Sequence, residues 1–120
     1  MNVAFFLTPK REVEYIYSEY TVRQTLEKMS YHKYASIPII DRYGFYCGTI
    51  TEGDLLWFIK GMGGMSLKDA EEVPIMDIPR KMDYLPVHID SDIDDLIDKA
   101  LNQNFVAAID DSDHFTGIVT

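Results

Sequence analysis

Residues 48–51 and 117–120 carry the same short pattern, Gly48-Thr49-Ile50-Thr51 and Gly117-Ile118-Val119-Thr120, sixty-nine positions apart. A chain of 120 residues that repeats itself is committed to two like units, since each copy has the same turns to make and the same apolar face to bury. The repetition extends upstream. At the same offset Ile40-Asp41 matches Ile109-Asp110, and a turn follows each, Arg42-Tyr43-Gly44 in one and Asp111-Ser112-Asp113 in the other. With a slip of two residues, Val22, Leu26 and Met29 answer to Ile93, Ile97 and Ala100. Pro9-Lys10-Arg11 matches Pro79-Arg80-Lys81 seventy positions on. Four segments in one order with near-constant spacing make an internal duplication.

The first copy has the clearer local signals. Ser36 to Asp41 reads as a short buried strand, Asp41 to Gly44 as a turn, and Phe45 to Ile50 as a second strand rich in aromatic and β-branched residues. Leu55, Leu56, Phe58 and Ile59 then fall at helical spacing, which places Thr51 where a strand ends and a helix begins. Such a junction offers free backbone N–H groups and the positive end of a dipole to an anionic or hydroxyl-bearing ligand. Thr51 and Asp54 are equally spaced as a capping box, with Asp54 short for reaching back to the N-cap.

In chain order, Val3 to Leu7 is an apolar lead-in that packs on the sheet, and Thr8-Pro9 breaks it. Val13 to Tyr17 alternates and reads as the first strand. Thr21 with Gln24 is a capping box opening a helix whose Val22, Leu26 and Met29 face the core. Tyr31 to Tyr34 carries the chain into Ser36. Gly61 to Gly64 ends the second helix, and Ser66 with Asp69 opens a short connecting one. Val73 to Pro79, with two prolines, reads as extended. The second copy follows: a strand at Val87 to Ile89, then a helix with the apolar stripe Ile93, Leu96, Ile97, Ala100 and Leu101. Strands at Phe105 to Ile109 and Phe115 to Val119 complete it. The outward acids Asp92, Asp94, Asp95 and Asp98 read as a solvated face rather than a metal site.

A β-α-β-β-α unit with Thr8-Pro9 near its start, Ile37-Pro38-Ile39-Ile40-Asp41 in its second strand and Gly48-Thr49-Ile50-Thr51-Glu52-Gly53-Asp54 at its last helix resembles the CBS domain, named after cystathionine β-synthase. Pro79, Ile109-Asp110 and Gly117-Ile118-Val119-Thr120 carry a weaker match in the second copy. The chain is thus similar to a stand-alone bacterial pair of tandem CBS domains. The implied fold is α/β: two tandem β-α-β-β-α repeats with pseudo-twofold symmetry, residues 1–62 forming the first and 63–120 the connector and a second repeat lacking its last helix. A missing closing helix would leave apolar surface that invites association, and the family pairs such modules face to face, so a homodimer is expected.

The resemblance also implies a ligand. Paired CBS domains bind adenosine-containing molecules such as AMP, ADP, ATP, S-adenosylmethionine or cyclic di-AMP. On that pattern Asp54 accepts hydrogen bonds from ribose hydroxyls, Thr51 meets ribose or phosphate, and Thr120 is the second copy's counterpart of Thr51. Val13, Ala35, Ile37 and Pro38 match the positions that hold the adenine. Lys10 with Arg11, and Arg80 with Lys81, occupy equivalent places in the two copies. They are either four solvated loop charges or, where equivalent segments converge on a shared cleft, a set of cations for phosphate.

Composition narrows the remaining classes. A formal net charge of −9, from 20 acids and 11 bases, argues against nucleic acid. No apolar run approaches the ~20 residues of a membrane span, Met1 to Leu7 lacks the features of a signal peptide, and the single cysteine, Cys47, suits a reducing compartment. Cytoplasmic residence follows as the default expectation. His32, His88 and His114 do not cluster with Cys47 at zinc spacing, so no metal is expected. Nor is there a P-loop, Rossmann or nucleophile-elbow motif, and no catalytic residue is assigned. The expected function is therefore a regulatory module sensing an adenosine-type ligand, with no other cofactor, acting on a regulated partner protein. Two other readings remain: a purely structural dimerisation module, in which Thr51 and Asp54 are only caps, and a small hydrolase, for which no pair of acids is identifiable.

Overall fold

The computed structural model describes residues 2–32 and 34–120; Met1 of the apolar N-terminal run and Lys33 of the link between Tyr31 and Tyr34 lie outside the described residues. The first part of the chain runs through β1 (Thr8–Pro9), β2 (Ile16–Tyr17), α1 (Val22–His32), β3 (Ser36–Ile40), β4 (Tyr46–Thr51) and α2 (Glu52–Gly61). A connector with α3 (Leu67–Glu71) leads to β5 (Val87–His88), α4 (Ile93–Ala100), β6 (Val106–Ile109) and β7 (Phe115–Val119). The strands form two sheets, ordered β2-β3-β4 and β1-β7-β6-β5. This is the α/β pair of repeats that the duplication implied.

The duplication reaches the level of single hydrogen bonds. In each repeat a parallel first strand pairs with a central strand, Tyr17 opposite Ile40 and His88 opposite Ile109. Each central strand then turns into an antiparallel partner with a bulge at the same place, between Ile39 and Ile40 and between Ala108 and Ile109. Asp41 and Asp110 hold the two turns alike: each carboxylate accepts from two backbone N–H groups at 2.9 Å, those of Tyr43 and Phe45 in one and of Ser112 and His114 in the other. The sheets meet where Phe45 pairs with His114, the two rings stacked with centroids 4.7 Å apart, and where the Phe115 N–H donates to the Gly44 carbonyl at 2.8 Å. Ile40, Ala107 and Phe115 form a small core at that junction, with Val13, Tyr15, Tyr17 and Tyr46 around it.

Each repeat also has its own core. Ile16, Val22, Ile37, Ile39 and Ile50 are fully buried in the first, each side chain contributing about 1.5–3 kcal/mol by leaving water. Val3, Val87, Val106 and Ala108 anchor the second. Thr21 and Gln24 make the capping box at the start of α1, with reciprocal bonds of 2.8 and 3.2 Å.

The structure corrects the expected elements in four places. Val3 to Phe6 is a 3₁₀ turn, of which only Val3 is buried, and it belongs to the second core. The first strand is confined to Ile16–Tyr17, because Lys10 to Glu12 form a 3₁₀ turn that ends at Val13. Val73 to Pro79 is not uniformly extended: Pro74, with φ −64°, opens a 3₁₀ turn at Ile75–Asp77. The α4 stripe is only partly covered, with Leu96 buried but Ile97 50% and Leu101 77% exposed.

The terminal and connecting segments cross between repeats. β1 pairs antiparallel with β7, Thr8 opposite Ile118 and Pro9 opposite Gly117. The connector returns to the first repeat, where Ala70, Ile75 and Ile78 join the core. Backbone bonds of 2.8 Å from Val22 to Val73 and from Ile75 to Tyr20 fix it there. Each repeat is thus strapped by the segment that precedes the other one.

Candidate functional site

The chain positions its most unusual polar group at the start of α2. Thr51 ends β4 in extended conformation and caps the helix, its hydroxyl accepting from the Asp54 N–H at 3.1 Å. The Asp54 carboxylate does reach back: Oδ2 accepts from the Thr51 N–H at 3.0 Å. The expected box is therefore present, and the shortness of aspartate does not prevent it. Its second oxygen, Oδ1, accepts from the Lys81 N–H at 3.0 Å. Asp54 is only 7% exposed. A buried carboxylate is tolerated here because two N–H groups and the positive end of α2 face it.

The segment that crosses this carboxylate is the basic one. Arg80 lies over Gly48 and donates from Nη1 to the Cys47 carbonyl at 3.2 Å. A Cβ on Gly48 would fall 1.5 Å from that nitrogen, so the glycine of the motif is what lets the guanidinium cross the strand. The equivalent Gly117 is crossed by β1 instead, where a Cβ would fall 2.1 Å from the Thr8 carbonyl oxygen. The two glycines thus serve the same purpose against different straps.

Two recesses flank Asp54. The inner one, about 220 Å³, is lined by Thr51, Gly53, Asp54, Trp57, Lys81, Met82 and Tyr84. The outer one, about 420 Å³, adds Phe58, Pro79 and Arg80. Behind the inner recess, the Tyr46 hydroxyl donates to the Tyr84 carbonyl at 3.0 Å and shares a 2.7 Å bond with Thr49. Burial pushes the Tyr46 phenol up to about 12, so it stays a neutral donor.

Of the sequence-predicted residues, the fold brings Thr51, Asp54, Arg80 and Lys81 together. Lys10 and Arg11 do not line the recesses beside Asp54; the Lys10 ammonium lies 5.4 Å from the Tyr15 ring, and Arg11 is exposed. Val13 packs at the junction between repeats. Pro38 is buried on the same face of β3 as Ile40, whereas Ile37 points the opposite way into the first core and is fully buried. Ala35 is exposed, and its carbonyl accepts from the Glu52 N–H at 2.8 Å. Thr120 is exposed at the end of β7. Sequence reasoning missed Trp57, Met82 and Tyr84. Trp57 was findable, since it lies three residues beyond Asp54 on the same helix face; Met82 and Tyr84 arrive by a crossing that no local pattern announces.

A second surface is apolar. Leu26, Met29, Ser30 and Tyr34 face Glu52, Leu55, Leu56 and Ile59 across a groove between α1 and α2. No helix among the described residues is long and apolar enough to cross a membrane.

Residues 6–61 match the family model of the CBS domain. No curated relative matches the chain. Solved structures do. A CBS domain protein from Streptococcus pneumoniae is similar over 97% of this chain and 78% of its own, with 22% identity and a TM-score of 0.87. The CbpB protein of Listeria monocytogenes, solved in complex with c-di-AMP, is similar over 98% of this chain and 87% of its own, with 19% identity and a TM-score of 0.85. CBSX2, solved in complex with AMP, covers 99% of this chain and 89% of its own at 20% identity and a TM-score of 0.78.

Proposed function

Residues 6–61 are a CBS domain in a chain that folds throughout as CBS-domain proteins do, and on that footing we propose that it is a regulatory module sensing adenosine-containing nucleotides. The observation that carries this reading is the buried Asp54 carboxylate between two recesses, with Thr51, Arg80 and Lys81 beside it. Each oxygen of Asp54 uses one lone pair on a backbone N–H and keeps another, which suits the two hydroxyls of a ribose. The Thr51 hydroxyl accepts from Asp54 and retains its own proton for a ribose or phosphate oxygen. Arg80 and Lys81 supply positive charge on one side of the same carboxylate, where a phosphate joined to that ribose would lie. Two similar proteins were solved with c-di-AMP and with AMP. The ligand occupies the first repeat's cleft in preference to the second.

The test is a thermal-shift and calorimetric screen against AMP, ADP, ATP, S-adenosylmethionine and cyclic di-AMP. At least one is expected to bind and to raise the melting temperature; indifference to all of them would overturn the reading.

One observation favours the purely structural alternative: both Asp54 oxygens already have partners within the chain. In that case the module only dimerises. The two readings share the expectation of a homodimer, formed through the α1/α2 groove and the exposed Leu56 of α2. Light scattering at tens of micromolar reads it directly, and a clean monomer would refute it. An adenosine-type ligand, a second copy and a regulated protein are the partners this account calls for, in the cytoplasm.

A further inference from the structure

The two repeats differ sharply at one matched position. In the first, the Arg42 guanidinium pairs with Glu19 and lies 3.8 Å above the centroid of the Tyr17 ring. In the second, the equivalent residues are Asp111, Asp90 and His88. The equivalence is one of backbone, not of alignment alone. Tyr17 and His88 occupy the same rung of their sheets. The next residues, Ser18 and Ile89, each donate 2.8 Å bonds to the carbonyls of Ile40 and Ile109. Tyr20 and Ser91 close the following turn onto Tyr17 and His88 at 2.9 Å in both cases. Arg42 and Asp111 each follow the aspartate that organises the hairpin turn, and Gly44 and Asp113 share positive φ, 91° and 65°.

The same frame therefore surrounds a cation in one repeat and presents only ligands in the other. One ring nitrogen of His88 and one carboxylate oxygen each from Asp90 and Asp111 lie within 4.8 Å of one another. Among the described residues no lysine or arginine pairs with either aspartate. Two carboxylates held this close repel unless a positive charge lies between them. We propose that the second repeat binds a divalent cation of the first transition row at His88, Asp90 and Asp111, in the place the Arg42 guanidinium takes in the first.

One imidazole and two carboxylates form a mixed nitrogen–oxygen donor set, suited to Mn²⁺, Co²⁺ or Zn²⁺ rather than to a hard cation held by oxygen alone. Metal–ligand bonds of about 2.0–2.2 Å require the three donor atoms to close to roughly 3–3.5 Å, which exposed side chains reach by rotamer change on a fixed backbone. Three protein ligands leave the other positions to water or to a partner's group. The site is separate from Asp54, on a different repeat and different turns.

The test uses Mn²⁺ on the isotopically labelled full chain, with amide broadening as the readout. Broadening should centre on residues 87–91 and 110–114 and follow one-to-one binding. Asp111→Arg rebuilds the first repeat's ion pair; it should abolish that broadening while holding or raising the melting temperature. His88→Ala should weaken Mn²⁺ at least tenfold, and Asp111→Asn serves where the arginine variant misfolds. Broadening spread over the acidic face of α4, at Asp94, Asp95 and Asp98, would overturn the site, as would Mn²⁺ binding that survives Asp111→Arg. Binding indifferent to His88→Ala would also defeat it.

Discussion

Replacing Asp54 by Asn tests structure and function at one atom. The carboxylate accepts two backbone N–H bonds at 3.0 Å, one from Thr51 and one from Lys81. An asparagine has a single acceptor oxygen, so its amide nitrogen must face one of those two N–H groups, donor against donor. At a site this buried, the abandoned N–H costs about 1–3 kcal/mol, more than the ~1 kcal/mol of an ordinary cap. For a domain of this size that is on the order of 3–10 °C in melting temperature. If Asp54 also holds ribose hydroxyls, nucleotide affinity falls roughly ten- to hundredfold, as hydrogen bonds to a charged group contribute about 1.5–3 kcal/mol. The assays are denaturant melts and calorimetry on wild type and variant, with binding measured well below the variant's melting point. Lost stability with unchanged affinity would refute the ligand role, and unchanged stability would refute the geometry.

Three further outcomes follow from particular contacts. Arg80→Glu should weaken AMP far more than adenosine, and added salt should do likewise in the wild type; equal losses for both would show that Arg80 does not meet phosphate. Gly117→Ala should destabilise more than Gly48→Ala, because the new Cβ at 117 meets the Thr8 backbone whereas at 48 it meets the movable end of Arg80; chemical melts of the pair read the order directly, and the reverse order would refute the contact. Tyr46 has a folded pKa of about 12 above its ordinary value of 10.0, so its contribution is complete below pH ~10 and is lost as pH rises toward 12. That loss is on the order of 3 kcal/mol, and a Tyr46→Phe variant with the same alkaline stability profile as wild type would contradict it.

The paired architecture was legible because duplication is a property of the sequence itself. So were the boxes at Thr21 and Gln24, Thr51 and Asp54, and Ser66 and Asp69, each a local hydrogen-bonding rule over three residues. What was not legible depends on distant pairing. β1 lies against β7, more than a hundred residues away, and no periodicity in Thr8-Pro9 indicates which repeat it will join. The same holds for the connector, whose Ile75 and Ile78 complete a core begun at Ile16. From Ile37 to Ile40 the apolar run is continuous, so the sequence could not say that Ile37 enters the first core while Pro38 shares the face of Ile40, which packs at the junction between repeats. Of the residues that the resemblance places at the adenine, Ile37 and Pro38 therefore lie on opposite faces of β3. Arg80 and Lys81 were marked by their match to Lys10 and Arg11, yet only the fold separates the pairs: each strap crosses the opposite repeat, and only one of them crosses Asp54.

The most direct measurement is an amide chemical-shift titration of the labelled chain with AMP, read together with the fluorescence of Trp57, the chain's single tryptophan. Trp57 lines both recesses beside Asp54. Saturable shifts should cluster at residues 48–57 and 79–84, with a matching change in fluorescence. Shifts clustered elsewhere, or none at millimolar AMP and equally none with cyclic di-AMP, would contradict a nucleotide site at Asp54.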